Sequence, residues 1–379
     1  MIKRIFLKGL GVKNLIKNLN ATFNPNQVGY VIFYVTNRCN FRCEFCFYYA
    51  EIEKGRKPEQ LTLSEIDKVS KSVGSLLQLS LTGGEPFLRK DFAEVTEIWL
   101  RNTGAKYITI PTNASLKEKM LNYLHYILPR FPSHYFRLAF SIDGIGDQHD
   151  ANRSKPGSYA RIVDAYNAIS PLRQQYNNLV LDSNTVFTSN TENNIIEIVR
   201  HIDENFQFDN ITVTYARGEI KDENLKTEAE ETYRSLNKFL GSLQRRKEKR
   251  LGYPIYRAVR DVAWQNLMTT TFEDTFVTPC VAGKKLIVIS ETGIVSPCEL
   301  LDKPLGSLRE HDFDLKKLMA KDESKSVAKW IVDTKCKCSF ECAHAANVAW
   351  NKSEWRKIIK NIGKNIGDTN RPYGSVSKG

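Results

Sequence analysis

The sequence predicts an α/β fold built around a parallel sheet, and two recurring patterns support this prediction. Six short apolar runs alternate with helical segments, and they cover residues 31–35, 76–81, 107–110, 136–140, 180–187 and 211–215. Apolar strands joined by helices indicate a parallel sheet whose outer face the helices cover. A polar or glycine-rich motif follows each of the first four runs, at the sheet edge where ligands usually bind.

End signals locate the first helices of this sheet. Residues Thr62–Glu65 form a Thr-x-x-Glu capping box, which predicts a helix running toward Leu76. Asp91 is a candidate start for the next helix, and Gly104 stands where a C-terminal glycine would end it.

The first loop contains three candidate metal ligands, Cys39, Cys43 and Cys46, at the spacing C-x3-C-x2-C. Soft sulfur ligands select iron–sulfur clusters or zinc. A structural zinc site needs a fourth Cys or His at short range, and none lies between Phe47 and His125. Three cysteines on a four-iron cluster leave one iron open, so this spacing favours the cluster.

The same loop carries a family resemblance. C-x3-C-x-aromatic-C, with Phe45 as the aromatic residue, resembles the signature of the radical S-adenosylmethionine (radical SAM) superfamily. Three later motifs, Gly83–Pro86, Thr112–Ala114 and Ser141–Gly144, follow in that family's order. The resemblance covers residues 27–218 and implies a partial (β/α)6 barrel. It also implies a [4Fe–4S] cluster, S-adenosylmethionine (SAM) on the open iron, and an external electron donor resembling flavodoxin or ferredoxin.

The resemblance further implies which residues bind SAM, and these are Phe45, Gly83, Gly84, Glu85, Pro86, Asn113, Ser141, Asp143 and Arg153. In the family the glycine backbone meets the SAM amino group, because only glycine allows so close an approach. The negative charge of Glu85 would complement the SAM ammonium group, and the planar guanidinium group of Arg153 would pair with the SAM carboxylate. Asn113 and Asp143 could equally be turn residues. Arg153 could be a solvated surface charge, and Phe45 a core side chain.

A second group of cysteines lies near the C-terminus: Cys280, Cys298, Cys336, Cys338 and Cys342. Between the first two, alternating apolar residues around Glu291–Gly293 predict a β-hairpin. This pattern resembles the SPASM and twitch auxiliary-cluster domains of radical SAM enzymes. The resemblance implies one auxiliary [4Fe–4S] cluster, held by Cys280, Cys298 and two of the other three, so that one thiol is spare. A zinc ribbon is the alternative.

These patterns divide the chain into five parts. They are a basic amphipathic segment (1–26), the radical SAM core barrel (27–218), a helical linker (219–275), a SPASM/twitch-like auxiliary domain (276–349), and a C-terminal helix with its tail (350–379). The auxiliary domain is expected to contain a β-hairpin and helices.

The net charge of +12 indicates an anionic partner. Residues 1–20 carry five basic residues and no acid, and residues 353–362 are also basic and amphipathic. Each segment could lie on an anionic membrane surface or pack on the protein itself. Eight cysteines without a secretory signal favour a location in the reducing cytoplasm. There the protein could be free or bound peripherally to the inner face of the membrane. No RNA-binding signature accompanies the charge, so a nucleic-acid partner is not expected.

Together these features predict a radical SAM oxidoreductase acting on a lipid or lipid-linked substrate at the membrane surface. Two alternatives share the same core: a peptide-modifying maturase or epimerase, and a dehydrogenase or epimerase of a sugar or other soluble metabolite. Loss of an electron to an auxiliary cluster would give dehydrogenation or cross-linking, whereas hydrogen donation by a spare thiol would give epimerisation. Tyr215 and Arg217, at the end of the sixth run, are candidates to line the substrate mouth.

Overall fold

The computed structural model describes residues 14–55, 59–245 and 253–369. Its centre is one sheet with the strand order β6-β5-β4-β3-β2-β1-β7-β8-β9. The strands are β1 (Tyr30–Thr36), β2 (Gln78–Gly83), β3 (Tyr107–Thr112), β4 (Tyr135–Ser141), β5 (Leu179–Phe187), β6 (Asn210–Tyr215), β7 (Leu286–Ile289), β8 (Ile294–Ser296) and β9 (Gly306–Ser307). Strands β1 to β6 pair in parallel, which confirms the predicted α/β fold.

The helices follow the strands as a parallel sheet requires. They are α1 (14–23), α2 (Tyr49–Glu53), α3 (Leu63–Val73), α4 (Phe92–Thr103), α5 (Lys117–Ile127), α6 (Asp147–Asn152), α7 (Ser158–Ile169), α8 (Leu172–Gln175), α9 (Ile195–Asn205), α10 (Glu230–Arg245), α11 (Tyr253–Phe272), α12 (Leu315–Met319), α13 (Asp322–Asp333), α14 (Glu341–Trp350) and α15 (Lys352–Thr369). Short 3-10 turns occur at Pro86–Leu88, Glu223–Leu225 and Leu308–His311.

The predicted helix ends are largely confirmed. Thr62 and Glu65 form the reciprocal capping box before α3, which ends at Val73. Gly104 ends α4 in the left-handed conformation, with φ of 67°. Asp91 precedes α4, but its side chain caps no backbone N–H; the carboxylate instead accepts a hydrogen bond from Arg89 at 2.9 Å.

The two faces of the sheet differ in polarity. On the convex face, Val31, Phe33 and Val35 of β1 join the main core beneath the helices. On the concave face, Tyr30, Ile32 and Tyr34 pack against α14. The rest of the concave face is more polar, because the side chains that alternate with the convex core include the half-buried Thr82, Thr109, Ser141, Asn184 and Thr214. The concave surface of the barrel therefore presents several hydroxyl and amide groups, together with the Arg137–Asp182 ion pair.

The predicted C-terminal hairpin is part of this sheet. β7 pairs in parallel with β1, and β7 and β8 form the antiparallel hairpin. Helix α14 covers the concave side of β1 and β7, and α11 packs along α14 and α15. The second cysteine group is consequently attached to the same sheet as the first.

Helix α1 lies at the N-terminal ends of the strands. The Asn14 side chain contacts His134, Lys17 donates to the carbonyl of Asn102, and Asn18 donates to the carbonyl of Gly104. Its apolar side chains point outward, since Leu15, Ile16, Leu19 and Phe23 are each at least 48% exposed. The rest of the predicted basic segment, residues 1–13, lies outside the described residues. Among the helices that the structure describes, none is long and apolar enough to cross a membrane.

Candidate functional site

The first three cysteines lie together in the loop that follows β1. Burial raises the pKa of Cys39 to about 12 and that of Cys46 to about 11, and the neighbouring thiols add to both shifts. Three such thiols become thiolates together only when a bound cation compensates their charge. Within residues 14–55, 59–245 and 253–369, no three His, Cys, Asp or Glu side chains converge to hold a single ion. A four-iron cluster takes one thiolate per iron, so the loop suits a cluster.

Arg153 connects the cysteine loop to the end of β4. Its guanidinium forms an ion pair with Asp143, and its Nη1 lies 3.7 Å from Cys43 Sγ. The arginine also lies 5.1 Å from the ring centre of Phe45, and only 12% of its side chain is exposed. Arg153 is therefore part of the site's interior and is not a solvated surface charge.

Asp143 is fixed by its own neighbours. It is fully buried, and one carboxylate oxygen accepts a hydrogen bond from Val186 N–H at 2.7 Å. Its backbone N–H donates to His149 Nδ1 at 3.0 Å. Burial first, and then the nearby Arg153, lower the pKa of His149 to about 4, so this ring is neutral and can accept that bond. The sequence offered no signal for His149 beyond its position in the Arg153 segment.

Glu85 is buried and ties three segments together. Its carboxylate accepts hydrogen bonds from Thr112 Oγ1 at 2.9 Å, Asn113 N–H at 2.8 Å and Phe87 N–H at 3.2 Å. Burial raises its pKa to about 7, although these three bonds oppose the shift. Glu85 thus anchors the end of β2 to the end of β3 through contacts within the chain.

The two glycines before Glu85 are required by the protein itself. A Cβ on Gly83 would lie 2.1 Å from the Thr36 carbonyl oxygen, and one on Gly84 would lie 2.2 Å from that of Arg38. The backbone of Gly84 donates to Thr36 at 2.8 Å. The glycine loop therefore packs directly on the chain entering the cysteine loop, a contact that the sequence analysis did not foresee.

The remaining predicted SAM-binding residues lie around the same opening. Asn113 donates to Asn40 of the cysteine loop at 2.9 Å, a partner that the sequence analysis missed. Pro86 is buried and opens a 3-10 turn, and Ser141 is half-buried at the end of β4. Phe45 packs in a small apolar cluster beside Cys43 and Cys46. The structure thus brings all the motifs of the first group to the C-terminal ends of β1 to β4.

In the second cysteine group, four thiols form a mutually interacting set. Burial raises the pKa of Cys338 to about 12, and Cys280, Cys298 and Cys336 each raise it further. Burial likewise raises that of Cys298 to about 11, with contributions from Cys280 and Cys336. Cys336 also raises the pKa of Cys280, so every pair in the set interacts. Such a set of four thiols suits a second cluster.

The fifth cysteine has different neighbours. Burial raises the pKa of Cys342 to about 12, and its strongest charged neighbours are Glu299 and Arg217. The Cys342 thiol is also within hydrogen-bond reach of the Tyr30 hydroxyl, which shares a 2.8 Å bond with Ser80. Cys342 therefore faces the concave side of the sheet.

Arg217 joins the barrel to both cysteine groups. Its two terminal nitrogens pair with Glu299 at 3.1 Å and with Glu341 at 3.2 Å. Its guanidinium lies 5.1 Å from the ring centre of Phe47, the residue that follows Cys46. Glu299 also accepts a 2.7 Å hydrogen bond from the Tyr34 hydroxyl of β1. The Arg217 network, defined as Arg217 with Glu299 and Glu341, therefore closes the open side of the partial barrel.

Comparison with known proteins agrees with this geometry. The family model of the radical SAM superfamily matches residues 33–202. A GTP 3′,8-cyclase from Pasteurella multocida (strain Pm70) is 41% identical over 81 residues, which cover 21% of this chain and 24% of the relative. One from Actinobacillus pleuropneumoniae serotype 3 is 32% identical over 120 residues, 31% of this chain and 35% of the relative. The chain thus spans about a quarter to a third of the length of these curated relatives.

Two solved structures resemble the fold over most of the chain. Native anSMEcpe with bound AdoMet is 17% identical with a TM-score of 0.57, covering 90% of this chain and 99% of that chain. SuiB of Streptococcus suis bound to S-adenosylmethionine is 16% identical with a TM-score of 0.57, covering 83% of this chain and 72% of that chain. At these identities the likeness concerns the fold.

Proposed function

The chain carries a radical SAM domain over residues 33–202, and from this premise we propose that it is an oxidoreductase that dehydrogenates a polar substrate with the help of an auxiliary cluster. Radical SAM domains use a [4Fe–4S] cluster and SAM. The observation that carries the finer proposal is the second set of four thiols, Cys280, Cys298, Cys336 and Cys338, attached to the same sheet as the first.

Cys39, Cys43 and Cys46 would hold the SAM-binding cluster. When bound, that cluster supplies the electron that cleaves SAM into methionine and a 5′-deoxyadenosyl radical. Arg153 uses part of its guanidinium on Asp143, and a guanidinium has five N–H donors, which leaves capacity for the SAM carboxylate. Glu85 acts here as a positioning residue, because its carboxylate holds the Thr112–Asn113 segment against the glycine loop.

The remaining SAM-contacting residues keep the roles that the family resemblance implies. Gly83, Gly84 and Pro86 would present backbone to the SAM amino group, and Phe45 would pack against adenine. Asn113 and Ser141 would meet ribose or methionine through amide and hydroxyl groups. Asp143, which the resemblance also places there, is fully buried and would act by holding Arg153. The contacts of Asn113 to Asn40 and of Asp143 to Arg153 would fix these side chains before SAM binds.

Cys280, Cys298, Cys336 and Cys338 would hold the auxiliary cluster, which makes this part of the chain SPASM/twitch-like. The 5′-deoxyadenosyl radical would take a hydrogen atom from a C–H bond of the substrate, giving 5′-deoxyadenosine. The substrate radical would then lose one proton and one electron, and an oxidised auxiliary cluster would supply the acceptor for that electron. Each cycle therefore removes two hydrogen atoms from the substrate and creates one double bond.

The concave surface favours a polar substrate. Hydroxyl and amide side chains of four different strands line it, including Thr82, Ser141, Asn184 and Thr214. Such groups hydrogen-bond the hydroxyl and amino groups of sugars and related metabolites. This lining supports the soluble-metabolite alternative more than the lipid-linked substrate.

The position of α1 also bears on the lipid-linked substrate. The outward apolar face of α1 lies at the N-terminal ends of the strands, whereas the motifs lie at their C-terminal ends. Strands of six or seven residues separate the two ends by roughly 20 Å. A membrane bound through α1 would therefore lie at the end opposite the SAM site. Peripheral binding to an anionic membrane stays a prediction. It would hold the enzyme with its SAM site facing away from the membrane, so it would not deliver a lipid substrate to that site.

Epimerisation is the second candidate, because Cys342 places a spare thiol on the concave side. In that reaction the thiol returns a hydrogen atom to the substrate radical. A reaction run in deuterated water distinguishes the two outcomes. An epimerised product acquires deuterium from the exchangeable thiol at the carbon that lost its hydrogen atom, whereas a dehydrogenated product carries no deuterium at that carbon. A peptide substrate is the remaining alternative from the sequence.

Iron content tests the ligand assignment that carries this proposal. Anaerobic reconstitution of the wild-type chain is expected to give about eight irons per chain, since two four-iron clusters form. Cys338→Ala should lower this value and remove one of the two cluster signals, whereas Cys342→Ala, the matched control, should keep about eight. A wild-type value near four that Cys280→Ala/Cys298→Ala leaves unchanged would eliminate the auxiliary cluster.

A further inference from the structure

Two small cavities open beside the auxiliary thiols. The first has a volume of about 260 Å³, and its lining includes Cys280, Trp350, Lys284 and Lys352. The second shares Cys280 with the first and adds Cys336, Cys338 and Lys337, among others. Cys280 therefore lines the first recess, whereas Cys336 and Cys338 line the second, which has a volume of only about 10 Å³.

The rim of these recesses is strongly basic. We define the basic face as Lys284, Lys335, Lys337 and Lys352, all of which are exposed. Lys337 pairs with Asp274 at 2.5 Å, whereas the other three form no ion pair with any residue that the structure describes. The nearby carboxylates of Asp274 and Asp333 pair with Lys337 and Lys329, so the other three lysines give this face an excess of positive charge, in line with the net charge of the chain.

Apolar groups lie inside this basic rim. Val332 and Trp355 line the first cavity, and 38% of Val332 is exposed. Trp350 also lines it, and its buried indole N–H has no hydrogen-bond partner among the described residues. An apolar centre with a charged rim is the usual anatomy of a protein–protein interface. Lys284 and Lys352 line a recess that also contains Cys280, and a concave site suits a protein partner better than a flat bilayer.

We propose that the basic face is the docking surface of an acidic one-electron-transfer protein of the flavodoxin or ferredoxin class, which re-oxidises the auxiliary cluster. This inference rests on the proposed function, because each substrate oxidation leaves one electron on that cluster. The electron must leave before the next cycle, and the oxidised partner gains it in a one-electron reduction. Interfaces of redox partners are small and transient, so four lysines around a recess are sufficient for a steered encounter.

Charge reversal on the basic face tests this proposal. The holoenzyme is compared with Lys284→Glu/Lys352→Glu and with a control, Lys119→Glu/Lys238→Glu, which changes the net charge equally at exposed sites on α5 and α10. Stopped-flow absorbance would follow electron transfer from the reduced enzyme to oxidised flavodoxin. The basic-face variant should react about tenfold more slowly at low salt, and all three proteins should converge at 1 M salt, where the Debye length is about 3 Å.

The outcomes separate the docking surface from its alternatives. Equal rates for the two variants at low salt would overturn the proposal. Unchanged flavodoxin kinetics, combined with loss of binding to anionic phosphatidylserine vesicles in the basic-face variant alone, would overturn it in favour of a membrane contact. Release of 5′-deoxyadenosine driven by dithionite should be the same in all three proteins. Its absence from the wild type would instead be a failure of the proposed function.

Discussion

Replacing Cys43 by alanine is expected to abolish the reductive cleavage of SAM. Cys43 lies between the other two cysteines of the loop and contacts Arg153, so its loss removes one of the three proposed ligands and the sulfur facing that guanidinium. The cluster that carries the chemistry then cannot form with one open iron. Release of 5′-deoxyadenosine by the dithionite-reduced, reconstituted protein should fall to the background of a protein-free control, as measured by liquid chromatography.

Cys342→Ala is the matched control for this experiment. It removes one thiol of the same type from the other cysteine group, and Cys342 lies outside the proposed ligand sets. Its SAM cleavage should equal that of the wild type, and circular dichroism should show that both variants are folded. If Cys43→Ala retains 5′-deoxyadenosine release, the loop after β1 does not bind the catalytic cluster.

Replacing Arg217 by alanine is expected to destabilise the protein by about 3–5 kcal/mol. The Arg217 network is well buried, with side-chain exposures of 14% for Arg217, 7% for Glu299 and 21% for Glu341. Burial raises the pKa of Glu341, and Arg217 provides the charge that most opposes this shift. Without the arginine, two neighbouring carboxylates remain buried together. Urea unfolding followed by circular dichroism measures the loss.

Two further variants identify the cause. Arg161→Ala removes an exposed arginine from α7 and should change the free energy of unfolding by no more than about 0.5 kcal/mol. Arg217→Met combined with Glu299→Gln and Glu341→Gln removes all three charges, and it should recover most of the stability because a neutral buried set avoids the desolvation penalty. If Arg217→Ala unfolds like Arg161→Ala, the network does not close the barrel.

The sequence predicted the fold because its signals are local. Six apolar runs gave six parallel strands, and the capping box at Thr62 and the glycine at position 104 marked helix ends that depend only on nearby residues. The motifs were predicted to meet because the C-terminal ends of parallel strands lie along one edge. That step needed only the order of the strands.

What the sequence could not supply depends on long-range contacts. Spacing alone did not distinguish Cys336 and Cys338 from Cys342, because the neighbours of these thiols depend on the packing of α14 on β1 and β7. The Arg217 network joins residues that are 82 and 124 positions apart, and no periodicity marks such pairs. The glycines at 83 and 84 were expected to serve the cofactor, but the packing of two loops already requires them.

Electron paramagnetic resonance of the dithionite-reduced wild-type protein, recorded before and after addition of SAM, tests whether the loop after β1 holds a SAM-binding cluster. We expect two cluster signals, of which one changes its g values when SAM binds to an open iron. That same signal should be missing from Cys43→Ala, and the other from Cys338→Ala. A spectrum that SAM leaves unchanged in every component would contradict a radical SAM site in the loop after β1.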